Sequence, residues 1–258
     1  MRNSTHLRRI LTLIAVVLLA PAAVQAAIIA ADDVEAYSSF SYGTNGGTGL
    51  GASNYREGTG GGVFLSTGGE RVDGAKSFGL FSSSGGQAYD RSINTPTTWG
   101  QYKVSARFNL DNAIAFSGFN LKSAAGSTFG ANELLSFGMR PTTGNNAIFI
   151  GGSVNASINL GSELRGAVID FDVIYNTTLG TYDVGAKLRS SPTFTRTTGN
   201  LKSTGNTATT LGYGNFNTGT NQNLIIDSVQ LESLPEPTMA LTVVGLLAVG
   251  MSRVRRSR

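Results

Sequence analysis

The chain has 258 residues, no cysteine, a single histidine and a formal net charge of +4. Disulfides and cysteine-ligated zinc are therefore excluded, and with His6 the sole histidine, Ser-His-Asp and Cys-His catalysis are excluded from everything downstream of it. The positive excess belongs to the two ends: residues 27 to 234 hold 13 basic and 15 acidic side chains, a net of −2, with no dense basic run among aromatics, so nucleic-acid binding has no electrostatic footprint.

At the N-terminus, Arg2, Arg8 and Arg9 precede an apolar run from Ile10 to Ala20, and Val24-Gln25-Ala26 follows Pro21. This three-part pattern predicts a secretory signal, taken up by the Sec machinery and cut by signal peptidase between Ala26 and Ala27. Glycine supplies 32 of the residues from 27 to 234. Even so, the apolar residues fall in short segments of period two, which predicts strands rather than helices or disorder. In chain order these are Val34 to Tyr42, Ser77 to Ser82, Tyr102 to Leu110, Ala113 to Leu121, Leu134 to Met139, Ala147 to Ile150 and Val154 to Leu160. A hairpin over 167 to 188 follows, turning at Asn176-Thr177-Thr178-Leu179-Gly180, and then Ala208 to Tyr213 and Leu224 to Leu231. Gly43 to Gly62 and Asn200 to Asn223 read as loops. About 208 residues suffice for one core without disulfides.

The expected fold is therefore all-β: a single antiparallel β-sandwich, plausibly a jelly roll, with barrel closure as the alternative. It is flanked by an N-terminal signal helix and a C-terminal transmembrane helix. The expected domains are 1–26 as signal peptide, 27–233 as sandwich and 234–258 as a sorting segment.

Asp170 and Asp172 share one face of a strand, about 7 Å apart, opposite Ile169, Phe171 and Val173. Three readings fit such a pair: solvated acids on an outer face, calcium ligands, or the two carboxylates of a glycoside hydrolase. Gly69 to Ser77 brushes against a phosphate-binding loop, but one extra residue separates the second glycine from Lys76, so it reads as a turn. Trp99, Tyr89, Tyr213 and Phe216 lie beside glycine-rich turns, where a ring either packs or stacks on a sugar.

The C-terminus carries Pro235-Glu236-Pro237, an apolar run from Met239 to Met251 and a cluster of Arg253, Arg255, Arg256 and Arg258. As a helix the run covers about 20 Å, a marginal span, and the arginines would hold the tail on the cytoplasmic side. In this order the three features resemble the PEP-CTERM sorting signal of Gram-negative bacteria. That resemblance implies an exosortase-like transpeptidase acting at Pro-Glu-Pro, followed by transfer to the cell surface, outer membrane or extracellular matrix. The phrases "GTNGGTGLG", "SFGLFSSSGG" and "NLIIDSVQLE" are similar to those of bacterial surface proteins with concanavalin A-like or laminin G-like sandwiches. The two resemblances imply a non-catalytic structural or adhesive protein that meets extracellular polysaccharide and needs no cofactor, calcium at Asp170 and Asp172 staying open. A secreted glycan hydrolase or lyase on the same fold is the alternative.

Overall fold

The computed structural model describes residues 26–57, 60–84, 86–110, 115–127, 129–140, 146–216 and 223–235. The chain divides into two compact units, Ala27–Ser233 and a second made of Met1–Ala26 with Leu234–Arg258. The described residues hold fifteen strands and no helix. The expectation of a sandwich flanked by a signal helix and a transmembrane helix is therefore corrected to an all-β fold: among the described residues no helix is long and apolar enough to cross a membrane. Of the segments to which those helices were assigned, 1–26 and 234–258, residues 1–25 and 236–258 lie outside the described residues.

The first unit is two antiparallel sheets. The eight-stranded sheet runs β13 (Thr195–Asn200), β12 (Thr181–Leu188), β11 (Val168–Asn176), β6 (Trp99–Asn109), β15 (Asn223–Ser233), β4 (Ser77–Ser84) and β3 (Gly60–Ser66), with β1 (Ala27–Asp32) also paired to β15. The seven-stranded sheet runs β10 (Asn155–Asn159), β9 (Ala147–Gly151), β8 (Glu133–Met139), β7 (Ser117–Lys122), β14 (Ala208–Asn215), β5 (Gln87–Thr97) and β2 (Leu50–Glu57).

Alternation dictates the core. Tyr102, Val104, Ala106 and Phe108 of β6, Ile169, Phe171, Val173 and Tyr175 of β11, and Tyr182, Val184 and Ala186 of β12 all point inward and are buried. Phe171 meets Phe119 and Phe137 of the opposite sheet at ring-centroid distances of 5.6 and 5.2 Å. The β11–β12 hairpin closes one residue tighter than its turn signal suggests. Asn176 pairs with Thr181 as a strand residue, its Oδ1 accepts the Leu179 N–H at 2.8 Å, and Gly180 takes a φ of 69°.

Departures from the predicted strands have local causes. Val34 to Tyr42 is a series of turns: Asp32 Oδ1 accepts the Val34 N–H, which sets Val34 at a φ of 66°. Its apolar side chains, Val34, Tyr37 and Phe40, are buried from a loop. Gly43 to Gly62, read as a loop, contains β2 and the start of β3, whereas within Asn200 to Asn223 the strand expected over Ala208 to Tyr213 is present as β14. Close approach explains a glycine there that read as loop, since a Cβ on Gly62 would sit 2.8 Å from the Phe81 ring. β5 escaped notice because Tyr89-Asp90-Arg91 interrupts its apolar pattern, and β13 because it is polar throughout.

Arg91 points into the sandwich and is 1 % exposed. Its Nη1 donates to Asp32 Oδ2 at 2.5 Å, its Nη2 to the Gly46 carbonyl at 2.6 Å and its Nε to the Gly51 carbonyl at 3.2 Å, while Tyr37 donates to the same Asp32 oxygen. The guanidinium thus joins β5 and β2 of one sheet to β1 of the other and to the 33–49 loop. Removing one partner would strand a buried charge. Arg91→Met is expected to lower unfolding free energy by about 3–5 kcal/mol in urea titrations, whereas Arg165→Met, which breaks an exposed pair with Glu163, is expected to lower it by less than about 1 kcal/mol.

Candidate functional site

Asp170 and Asp172 do share the outward face of β11, and each is already neutralised. Asp170 Oδ1 accepts from Ser105 Oγ at 2.8 Å and from Arg189 Nη2 at 2.7 Å, with Lys187 Nζ 4.0 Å from Oδ2. Asp172 accepts from Gln101 Nε2 at 2.5 Å and from Arg196 Nη1 at 2.9 Å, and Arg196 also holds Asp183. Cross-strand register produces this: Ser105 and Lys187 flank Asp170, while Gly185 flanks Asp172 and leaves room for Arg196 from β13. Calcium wants six to eight oxygens, and these carboxylates face cations, so the pair does not fit that ion. The depression they line, about 410 Å³, is floored by satisfied groups.

One acid on this face behaves differently. Asp227 is buried, accepting from Ser77 Oγ at 2.9 Å and from the Ser228 N–H at 2.7 Å. Burial pushes its carboxyl up to about 6, with Asp73 and Glu35 adding to the rise and the two hydrogen bonds opposing it. It stands at the bulge where β15 exchanges β4 for β1 as its neighbour, next to Ser228 at a φ of 53°.

The other predicted residues are scattered. Tyr89 and Tyr213 are core rings, stacked at 4.9 Å, so neither presents a face to solvent. Trp99 is half-buried at the head of β6. Phe216 borders the aromatic cluster described below, 6.4 Å from Phe129. The Gly69 to Ser77 segment is turns ending in β4, with Glu35 accepting the N–H groups of Ala75 and Lys76 where a phosphate would have to sit. β1 begins at Ala27, which pairs with Ser233. Pro235 is the last described residue, and Glu236, Pro237, Arg253, Arg255, Arg256 and Arg258 lie outside the described residues.

The outward face of the seven-stranded sheet is where chemistry-bearing side chains converge. Rows follow from register: Asp90, Gly212, Asn120, Ser136 and Gly151 stand side by side across β5, β14, β7, β8 and β9. Lys122 Nζ lies 2.7 Å from Asp90 Oδ1, both buried, although β14 runs between their strands. The pair closes over Gly212, where a Cβ would stand 2.8 Å from Lys122 Cε and 2.9 Å from Asp90 Oδ1. Asp90 Oδ2 accepts the Gly126 N–H and Lys122 donates to the Gly126 carbonyl, which fastens the start of the β7–β8 connection onto the sheet.

In the next row Gly118 and Gly138 are opposed, and the Phe116 ring lies 2.9 Å from where a Gly118 Cβ would be. Phe129 meets Phe116 edge-on at 4.9 Å, keeps 41 % of its surface exposed and has a φ of 63°, a costly conformation for a bulky residue. The Arg140 guanidinium stands 5.3 Å from the Phe129 ring and 4.7 Å from Phe149, and Lys202 Nζ stands 5.8 Å from Phe129. Lys202 also lies 3.0 Å from Oε1 of Glu133, a carboxylate with no exposed side-chain surface.

Sequence reasoning missed this cluster. Its members come from five strands and four loops, and the one local signal was the alternation of Asn120 and Lys122 with Phe119 and Leu121 on β7.

No protein-family model matches the chain, and no curated protein matches its sequence. Solved structures that it resembles are lectin-type β-proteins. Arcelin-5, a lectin-like defence protein from Phaseolus vulgaris, shares 12% identity at a TM-score of 0.49 over 77% of this chain and 99% of its own. Lectin II from Ulex europaeus shares 11% at 0.47 over 76% and 97%. The exoplasmic/lumenal domain of VIP36, in a form bound to Ca2+ and Man3GlcNAc, shares 14% at 0.45 over 68% and 87%.

The raised Asp227 sets a sign for pH dependence. Between about pH 4 and 6 the native state holds a proton that the unfolded chain has lost, so this group's contribution to stability falls as pH rises through that window. Asp227→Asn is therefore expected to gain on the parent by about 1–2 kcal/mol between pH 4.5 and 7.5, a figure discounted for nearby solvent, as a growing difference between their melting temperatures.

Proposed function

We propose that the chain is an exported surface or extracellular-matrix protein that binds carbohydrate through the outward face of its seven-stranded sheet and performs no reaction on it. The observation that carries the binding half is Phe129. An aromatic ring held outward in a strained backbone and braced edge-on by Phe116 keeps 41 % of its surface exposed, with the cations of Arg140 and Lys202 over it at 5.3 and 5.8 Å from its centroid. A pyranose offers the complement, an apolar C–H face with hydroxyls around it. Extracellular polysaccharide is the partner that this reading implies.

Support for export comes from the sequence, read beside the fold. The signal-type segment stops where β1 begins, and Pro235-Glu236-Pro237 starts two residues after β15 ends at Ser233. A peptidase cut between Ala26 and Ala27 would leave every strand pairing intact, and an exosortase-like enzyme acting at Pro-Glu-Pro would do the same. The competing reading, a glycan hydrolase or lyase, loses ground because its carboxylate pair is held by Arg189 and Arg196. A glycosidase needs two carboxyls free to reach the scissile bond.

Two measurements test the two halves. Intact mass and terminal peptide mapping of protein from separated membrane, surface and medium fractions are expected to find a surface or medium product starting near Ala27 and ending near Pro235. An intact Arg258 in the inner membrane would overturn the sorting reading. On a glycan array, Phe129→Ala is expected to lose at least about 10-fold in binding while its melting curve stays close to that of the parent, since the ring is half in solvent.

A further inference from the structure

The ion pair of Lys122 and Asp90 is withdrawn from solvent on both sides: the two side chains are 0 % and 1 % exposed, with Nζ 2.7 Å from Oδ1. The strands that carry them, β7 and β5, are not neighbours, because β14 runs between them. Two strand spacings come to about 10 Å, which a lysine and an aspartate laid toward each other can just span. They meet because Gly212 leaves β14 bare beneath them. Other ion pairs differ in kind. Arg91–Asp32 is buried as deeply, but a guanidinium stays protonated and is no nucleophile, while the amines of Lys103, Lys187 and Lys202 belong to side chains 41, 20 and 32 % exposed. The Gly126 main chain grips the buried pair from a third side. Its N–H donates to Asp90 Oδ2 at 2.9 Å and its carbonyl accepts from Lys122 Nζ at 2.7 Å. One carboxylate oxygen thus lies against the amine and the other against a backbone donor.

We propose that Lys122 and Asp90 condense to an intramolecular amide, a covalent cross-link that ties β5 to β7 across β14. Passing one proton from Nζ to Oδ1 turns the ion pair into an amine and a carboxylic acid, which relieves the cost of two buried charges. The Nζ lone pair then attacks Asp90 Cγ, and the negative charge that develops on Oδ2 meets the Gly126 N–H, a donor already in place. A second Nζ proton passes to Oδ1, the Cγ–Oδ1 bond breaks and one water leaves. One C–N bond replaces one C–O bond, nothing is oxidised or reduced, and no co-reactant is needed. The product keeps both contacts to Gly126, with Oδ2 as the amide oxygen and the remaining Nζ–H as the amide donor. Burial serves both directions of the chemistry, since it holds the reacting groups together and keeps water from hydrolysing the amide. In a chain without cysteine the bond does what a disulfide would, closing the loop between residues 90 and 122 and so restricting the unfolded chain. It forms whether or not the sheet binds a sugar.

The test is the intact mass of the full chain, purified folded and then denatured in acid, together with its tryptic map. Once its two termini are read from the map, the parent is expected to fall short of its sequence mass by the mass of one water. Trypsin is expected to release residues 77–91 joined to residues 108–165, uncut after Lys122 because its amine is acylated. Lys122→Arg keeps the positive charge but not the nucleophilic amine. It is expected to show its full sequence mass and to melt at least about 5 °C below the parent. A parent of full sequence mass, cut by trypsin after Lys122, overturns the cross-link and leaves an ordinary buried ion pair. A deficit that persists in Lys122→Arg overturns it as well, because the lost water then comes from elsewhere in the chain. The joined peptide of the parent decides the matter even where the variant fails to fold.

Discussion

The Arg91 guanidinium is the constraint around which the sandwich is organised. It lies between the two sheets, where an unpaired charge is very costly, and it is made tolerable by one carboxylate and two main-chain carbonyls drawn from three different parts of the chain. Those carbonyls belong to Gly46 and Gly51, so a segment that read as a loop is held by a buried guanidinium. Tyr37 completes the arrangement by donating to Asp32, and burial together with that carboxylate pushes its phenol far above the ordinary tyrosine range. The charge specifies how β1 and β5 meet, and so how one sheet is set against the other.

The two outward faces follow opposite designs. On the eight-stranded sheet, acids and bases alternate in register, and nearly every carboxylate is met by a guanidinium, ammonium or hydroxyl from the next strand. Such a lattice keeps edge strands from pairing with other chains and leaves little for a ligand to satisfy. On the seven-stranded sheet, glycines at 118, 138, 151 and 212 thin the surface so that Phe116, Phe149 and the Lys122–Asp90 pair lie directly on the backbone. Buried polar atoms are left without partners on that face.

Sequence reading went furthest where one strand carries its own pattern. In β6, β11, β12, β8 and β9, apolar residues every second position face the core, and that pattern is local. It failed where a tertiary partner overrides the pattern. β5 carries a charge inward because Asp32 waits for it 59 residues earlier in the chain, and Val34 to Tyr42 is apolar without being extended because the Asp32 side chain turns it. The acid pair at 170 and 172 was rightly placed on one face, but its partners at 189 and 196 arrive through β12 and β13 and are invisible in any window around it.

What the sequence determined by itself is the class of interior: without cysteine, with apolar residues at period two and turns between them, the chain had to bury sheet faces against each other, and the absence of histidine beyond residue 6 closed whole classes of catalysis. Tertiary structure alone decided which polar residues meet. Asn120, Ser136, Glu133, Lys202 and Phe129 lie up to 82 residues apart in the chain, between positions 120 and 202, and each reads as an ordinary surface residue. Strand order and register place them on one face, and those are set by the packing of both sheets and by the Arg91 contacts, a long-range energy that no local pattern encodes.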